Sequence, residues 1–197
     1  LVENGKNAYE SQPENKVILH DLQMLVTKNY PGRFMVCEEP ADPVGAAGSD
    51  SCGSSFAFGF NDAVRASVLS GTGTGELQQK LQQYPLANMG LVLGSHDSYA
   101  GERLIEAFNG DEGAYKVAAA TQLTLPGQPF IYYGEEIGMS MASKAKYTDT
   151  KIRAPMSWNG EESILDDQGA KFYTFGGFTR LQESWKQKLF RPQADNW

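Results

Sequence analysis

The chain has 197 residues, 41% of them hydrophobic and 11% aromatic, and a formal charge of −7 from 17 Lys and Arg against 24 Asp and Glu. That apolar content builds a core, and the length allows one domain or a piece of a larger one. With no basic run to neutralise phosphate and no apolar stretch of ~20 residues to span a bilayer, no nucleic-acid or membrane partner is expected.

The chain opens on Leu1-Val2-Glu3-Asn4 with no initiator Met and no signal-peptide pattern, and it stops at Asn196-Trp197 without a closing element. The expectation is a segment of a longer protein. Its only cysteines, Cys37 and Cys52, cannot make a disulfide framework, and no further ligand completes a zinc spacing, so no metal site is expected. Two small buried thiols are the expected state, with a disulfide as the alternative.

In chain order, Ile18, Leu22 and Leu25 fall at helical spacing and predict a helix over residues 14–29, stopped by Tyr30-Pro31-Gly32. The short apolar run 33–37 ends in Glu38-Glu39-Pro40 and reads as a buried strand. Residues 41–55, rich in Gly, Ser, Asp and Pro, read as a long loop. A second strand is expected over 56–60, and Asn61 can cap a helix over 62–69. A glycine-rich connector, 71–75, leads into a polar helix over 76–84, and 90–94 is the third strand, ending at Ser95-His96-Asp97. Asp111 can cap a helix over 114–125, which Pro126-Gly127 ends. The fourth strand, 130–133, runs into Gly134-Glu135-Glu136, and after Met139 mostly irregular structure is expected.

Strands separated by helices mean parallel pairing through crossovers, an α/β fold. A closed eight-unit barrel needs ~250 residues, and at most four strand–helix units are present here. Half a barrel fits the count. Three of the four strand candidates end in carboxylates: Glu38 and Glu39, then Asp97, then Glu135 and Glu136. In a parallel barrel the strand C-termini share one mouth, so these acids would converge from positions about 40 to 60 residues apart. Neighbouring carboxyls push one another's pKa values apart and supply an acid and a base at one pH, the chemistry of glycosidic bond cleavage.

The literal residues carry a resemblance. Leu91-Val-Leu-Gly-Ser-His-Asp-Ser-Tyr-Ala-Gly-Glu-Arg103 resembles the fourth conserved region of the alpha-amylase family of glycoside hydrolases. The continuation through Leu125-Pro-Gly-Gln-Pro-Phe-Ile-Tyr-Tyr-Gly-Glu-Glu-Ile-Gly-Met139 is similar as well. Phe34-Met-Val-Cys-Glu-Glu39 looks like the third region, and Ile152-Arg-Ala-Pro-Met-Ser-Trp158 like a segment after the eighth strand. The resemblance covers roughly residues 16 to 160.

It implies a partial (β/α)8 TIM barrel, about strands five to eight, over residues 1–160, with an incomplete loop region over 161–197 where Phe190-Arg-Pro192 fits. It implies Glu38 as the general acid/base and Asp97 as a second carboxylate that binds sugar hydroxyls and stabilises an oxocarbenium-like transition state. His96 would hydrogen-bond the sugar, and Arg153 would reach substrate or pair with Glu135 or Glu136. Successive strand residues face opposite ways, so of Glu38 and Glu39 only one enters the mouth, and the family register selects Glu38. Ser95 stands where the family usually has Asn. Ser95-His96-Asp97 is no nucleophilic triad, because consecutive side chains diverge. Glu135 and Glu136 are expected to hold loops, Tyr132 and Tyr133 to pack in the core, and Tyr99 or Trp158 to offer a stacking surface.

The family's nucleophile aspartate lies in a Gly-Phe-Arg-x-Asp-like block that this chain does not contain, so no hydrolysis by the chain alone is expected. The substrate implied is starch or malto-oligosaccharide, and the partner implied is the remaining half of the barrel. The chain itself is expected to hold no cofactor, calcium being a ligand of the full-length enzyme. An extracellular or periplasmic setting is expected. The alternatives are a transglycosylase or glucan isomerase of the same family, and a non-catalytic amylase-like binding domain.

Overall fold

The computed structural model describes residues 12–73, 75–97, 102–141 and 148–153, together with short strands at 2–3, 6–7, 164–167 and 171–174. These fall into two compact units, residues 1–60, 75–92 and 124–130 in the first, and 61–74, 93–123 and 131–197 in the second.

The first unit opens with an antiparallel pair, β1 (Val2–Glu3) and β2 (Lys6–Asn7), which the sequence pattern does not reveal. Helix α1 (Pro13–Asn29) starts on a proline whose missing N–H costs nothing at that position, with Glu14 in its first turn and Lys28 in its last. The expected helix is there, but not its expected burial. Ile18, Leu22 and Leu25 are 65%, 45% and 54% exposed, and no residue of α1 is buried. An apolar stripe at that spacing is built to be covered, and nothing in this unit covers it.

The strand expected over residues 33–37 contracts to a single parallel bridge between Cys37 and Ser55. Cys37 N–H donates to the Ser54 carbonyl and Phe56 N–H to the Cys37 carbonyl, both at 3.0 Å. The Ser54 hydroxyl takes the Met35 carbonyl, displacing the backbone donor a ladder would use there. The loop over 41–55 holds helix α2 (Pro43–Ala46), capped by Asp42, whose Oδ1 accepts from Gly45 N–H at 2.9 Å. The thiol expectation is corrected. Cys37 and Cys52 form a disulfide, because the turn over 48–53 folds Cys52 back beside Cys37. Closing a loop of that size stabilises a fold by about 3 kcal/mol.

The sheet of this unit is parallel, in the order β3 (Ser55–Phe56), β4 (Met89–Val92), β5 (Gln128–Phe130). Phe56 pairs with Gly90, and Gly90 with Gln128. The strands stop two or three residues before their apolar runs do, since Leu93 and residues 131–133 pass into loops. Met89, Leu91, Ala57 and Phe60 are fully buried around the sheet. Gly90 is required there, since a Cβ would lie 2.8 Å from the Phe56 ring, which meets Phe130 edge-on at 4.9 Å. Helix α4 (Gly75–Gln83) precedes β4, and Tyr84 donates its hydroxyl to the Phe58 carbonyl at 2.6 Å. An open hollow of about 490 Å³ beside the sheet is lined by Phe34, Met35, Val36, Met89 and Phe130 among others.

The second unit takes most of helix α3 (Phe60–Ser70), then α5 (Leu104–Ala107), α6 (Glu112–Thr124) and α7 (Thr148–Ile152). Asp111 caps α6 as expected, its Oδ1 accepting from Ala114 N–H at 3.0 Å. Val64, Leu104, Ile105, Phe108, Ala118 and Ile152 form the core. Beyond Met139 the expected irregular structure is replaced in part by α7 and by an antiparallel pair, β6 (Ile164–Asp167) with β7 (Lys171–Thr174).

Candidate active site

The second unit gathers three of the four predicted site residues. Leu93 and Gly94 are buried and deliver the chain to Ser95, whose Oγ accepts from Asp97 N–H at 3.0 Å and so fixes a tight turn. The serine thus engages Asp97 backbone, which leaves no nucleophilic relay through it. Asp97 Oδ2 lies 3.3 Å from His96 Nε2, and its Oδ1 accepts from Arg153 Nη2 at 2.5 Å. Arg153 follows α7 and donates Nε–H to the His96 carbonyl at 2.6 Å and Nη2 to Asp149 Oδ2 at 3.2 Å. Its carboxylate partners among the described residues are Asp97 and Asp149, in place of the expected Glu135 or Glu136.

The Asp97 side chain is 22% exposed, that of His96 63% and that of Arg153 45%. Such exposed pairs stabilise a fold by only ~0.2–1 kcal/mol. What the arrangement does is chemical. It holds a carboxylate charged beside a guanidinium and leaves an imidazole facing solvent, able to donate to a hydroxyl.

Glu38 lies in the first unit, exposed, directly after the disulfide-linked Cys37. Glu39 is half-buried and lines a small hollow with Gln12, Lys16 and Leu19 of α1's N-terminal region and with Asp42. The two successive carboxyls thus differ in exposure. Tyr99 and Trp158 lie outside the described residues. Among the described residues no three His, Cys, Asp or Glu side chains form a metal-binding group.

The same unit holds a second polar group around the turn after residue 133, in which Glu135 and Arg103 are buried and Glu136 is exposed. Glu135 accepts Tyr132 N–H at 2.9 Å, Glu136 accepts Gly134 N–H at 2.8 Å, and the Tyr115 hydroxyl donates to the Glu135 carbonyl at 2.5 Å. Both acids hold the turn after residue 133, the loop-holding task expected of them. Gly134 is obligatory in that turn, at φ +87° with a Cβ position 2.6 Å from Met139 Sδ. Arg103 is 1% exposed, with its guanidinium 4.3 and 4.6 Å from the Tyr132 and Tyr133 rings. Neither tyrosine is in the core as expected: Tyr132 is half-buried and Tyr133 is 38% exposed. Glu106 Oε1 accepts from Met141 N–H at 3.0 Å.

Burial pushes the Glu106 and Glu135 carboxyls up to about 7, with Arg103 pulling the other way. A carboxyl whose folded pKa is raised favours folding most when it is protonated in both states. That contribution is complete below the unfolded value near 4.5 and is lost as pH rises through about 7. Thermal melts should therefore show a higher Tm at pH 5 than at pH 8, and Glu106→Gln with Glu135→Gln should flatten the difference. A difference that the double variant leaves unchanged would contradict this.

Residues 2–164 match the family model described as the alpha amylase catalytic domain. Neopullulanase 2 of Thermoactinomyces vulgaris is 36% identical over 122 residues, 56% of this chain and 20% of that protein. The trehalose synthase/amylase TreS of Mycolicibacterium smegmatis is 26% identical over 203 residues, 83% of this chain and 34% of that protein. The match thus spans a fifth of the first of these two relatives and about a third of the second. In fold it resembles the cyclic alpha-maltosyl-(1→6)-maltose hydrolase of Arthrobacter globiformis, at a TM-score of 0.63 and 23% identity, over 88% of this chain and 36% of that one. That likeness places the parallel sheet and its helices in the TIM-barrel class. With four ordered sequence blocks, a parallel α/β sheet and a family match over residues 2–164, the chain belongs to the alpha-amylase family of glycoside hydrolases.

Proposed function

We propose that the chain is the part of a retaining α-glucan glycoside hydrolase that carries its acid/base, cleaving α-glucosidic bonds in starch or malto-oligosaccharides. The observation that carries the reading is the Asp97–His96–Arg153 constellation, a charged carboxylate held by a guanidinium with a solvent-facing imidazole beside it. In this reading Glu38 hands a proton to the leaving glycosidic oxygen and then takes one from the attacking water. Asp97 holds sugar hydroxyls and stabilises positive charge developing on the ring, His96 donates an N–H to a sugar hydroxyl, and Arg153 orients Asp97 and borders the substrate.

The strands described here correspond to about the fifth to eighth of the barrel, with residues 1–160 as the catalytic half and 161–197 as the loop region after it. The remaining half would cover the uncovered stripe of α1 and fill the apolar hollow, and those two features are what support that partner. The disulfide supports an oxidising setting, extracellular or periplasmic.

No Gly-Phe-Arg-x-Asp-like block is present to supply the nucleophile, so the 197-residue polypeptide alone should release no reducing ends from soluble starch. Reducing-end assay checks this, and clear turnover would contradict it. The second reading, a transglycosylase or glucan isomerase, is favoured by the match to a trehalose synthase/amylase and keeps the same site with a sugar acceptor. Chromatography of the intact enzyme's products separates the two. A non-catalytic binding domain would have no reason to keep both acids, Glu38 and Asp97.

A further inference from the structure

Arg103 is the largest fully buried side chain among the described residues, and none of the roles above uses it. It stands at the N-terminus of α5, its guanidinium stacked on the rings of Tyr132 and Tyr133. Its Nη1 donates to the Tyr133 carbonyl, and its Nη2 donates to the Ile152 carbonyl at 2.8 Å. The same Ile152 carbonyl accepts the Tyr132 hydroxyl at 2.9 Å. Ile152 is itself 1% exposed and is the residue immediately before Arg153. A carbonyl held by two donors, the buried Arg103 and the half-buried Tyr132, fixes the peptide plane that leads into the next residue. That next residue reaches Asp97 Oδ1 and the His96 carbonyl.

We infer that Arg103 is a positioning residue. It sets the direction in which Arg153 leaves α7, and through Arg153 it fixes the orientation of Asp97 toward substrate. The inference rests on the site reading given under the proposed function. Burial of an arginine costs heavily unless its donors are used, and here Nη1 and Nη2 each reach a carbonyl of a different segment and two rings hold the plane, while Nε is buried without a hydrogen-bond partner among the described residues. A lysine at the same place brings one ammonium, which cannot span both carbonyls or stack in this way.

The test uses the intact enzyme on a malto-oligosaccharide. Arg103→Lys should lower kcat/KM about 10- to 100-fold, as expected when a catalytic group shifts by about 1 Å. Tyr132→Phe, which removes the other donor to Ile152 while keeping the ring, should lower it in the same direction by less. Each change is then made again in an Arg153→Ala background. There the kinetic losses should shrink to about two-fold or less, while any fall in Tm from Arg103→Lys should persist.

Equal kinetic losses in both backgrounds, or a wild-type kcat/KM for Arg103→Lys, would overturn the inference and leave the site reading standing. If Arg103→Lys does not fold, Tyr132→Phe in the two backgrounds decides by the same criterion. A wild-type enzyme with no action on any α-glucoside would remove the site reading and this inference with it.

Discussion

In the intact enzyme, Glu38→Gln should lower kcat on malto-oligosaccharides by about 10²–10⁴, with KM changed far less. Glutamine keeps the shape of the side chain and its ability to contact a sugar but has no proton to give. A glucosidic oxygen is a poor leaving group without one, so the loss falls on bond cleavage and not on binding. Glu38 is exposed, so the substitution removes no core packing and Tm should hardly move. The neighbouring Glu39→Gln serves as the control. Its carboxyl lies in the small hollow beside Lys16 and Asp42, and kcat should stay near wild type. A Glu38→Gln enzyme with an unchanged rate, or a Glu39→Gln enzyme with the larger loss, would exchange or remove the assignment.

Asp97→Asn should cost about 10²–10³ in kcat/KM, the size expected when one preorganised electrostatic partner is removed from a developing charge. The amide keeps the side chain's volume but carries no negative charge to stabilise a cationic sugar ring. It also leaves Arg153 with Asp149 as its charged partner, and a positive group then points where positive charge develops. Because the Asp97–Arg153 pair is partly exposed, stability should change by no more than about 1 kcal/mol. The signature is thus a large kinetic loss with a nearly unmoved melt. A large fall in Tm with kcat/KM within a few-fold of wild type would make Asp97 a structural anchor instead.

Local signals in the sequence were strong wherever one residue decides a boundary. Pro13 and the Tyr30-Pro31-Gly32 stop bracket α1 closely, and Asp111 caps α6 through its own carboxylate. Parallel pairing also follows from the alternation of apolar runs and helices, although the runs overshoot their strands: Leu93 and Gly94 continue into a buried segment, and Ile131 and Tyr133 into an exposed one. Burial is another matter. The α1 stripe has the spacing of a core face yet stays open, since periodicity reports which side is to be covered and not whether a cover lies in the same segment. The disulfide was hidden because a turn over residues 48–53 brings together cysteines that the sequence leaves as two isolated thiols.

At the site, the residue types at Glu38, His96, Asp97 and Arg153 were legible through the motif, but the partnership of Arg153 with Asp97 was not. It joins positions 56 residues apart, and its Asp149 partner carries no motif at all. Arg103, Glu106 and Glu135 were harder still. Charged residues are ordinarily read as surface, and only the packing around Tyr115, Tyr132 and Ile152 shows that these lie inside.

The most direct test compares leaving groups in the Glu38→Gln enzyme, using α-glucosyl fluoride beside a malto-oligosaccharide. Fluoride departs without protonation, so the first step no longer needs an acid. The variant should release a burst of fluoride at close to the wild-type rate and then turn over slowly, because the missing base still limits the second step, while its rate on the malto-oligosaccharide stays about 10²–10⁴ lower. Equal losses on both substrates, with no burst, would mean that Glu38 does not deliver the proton.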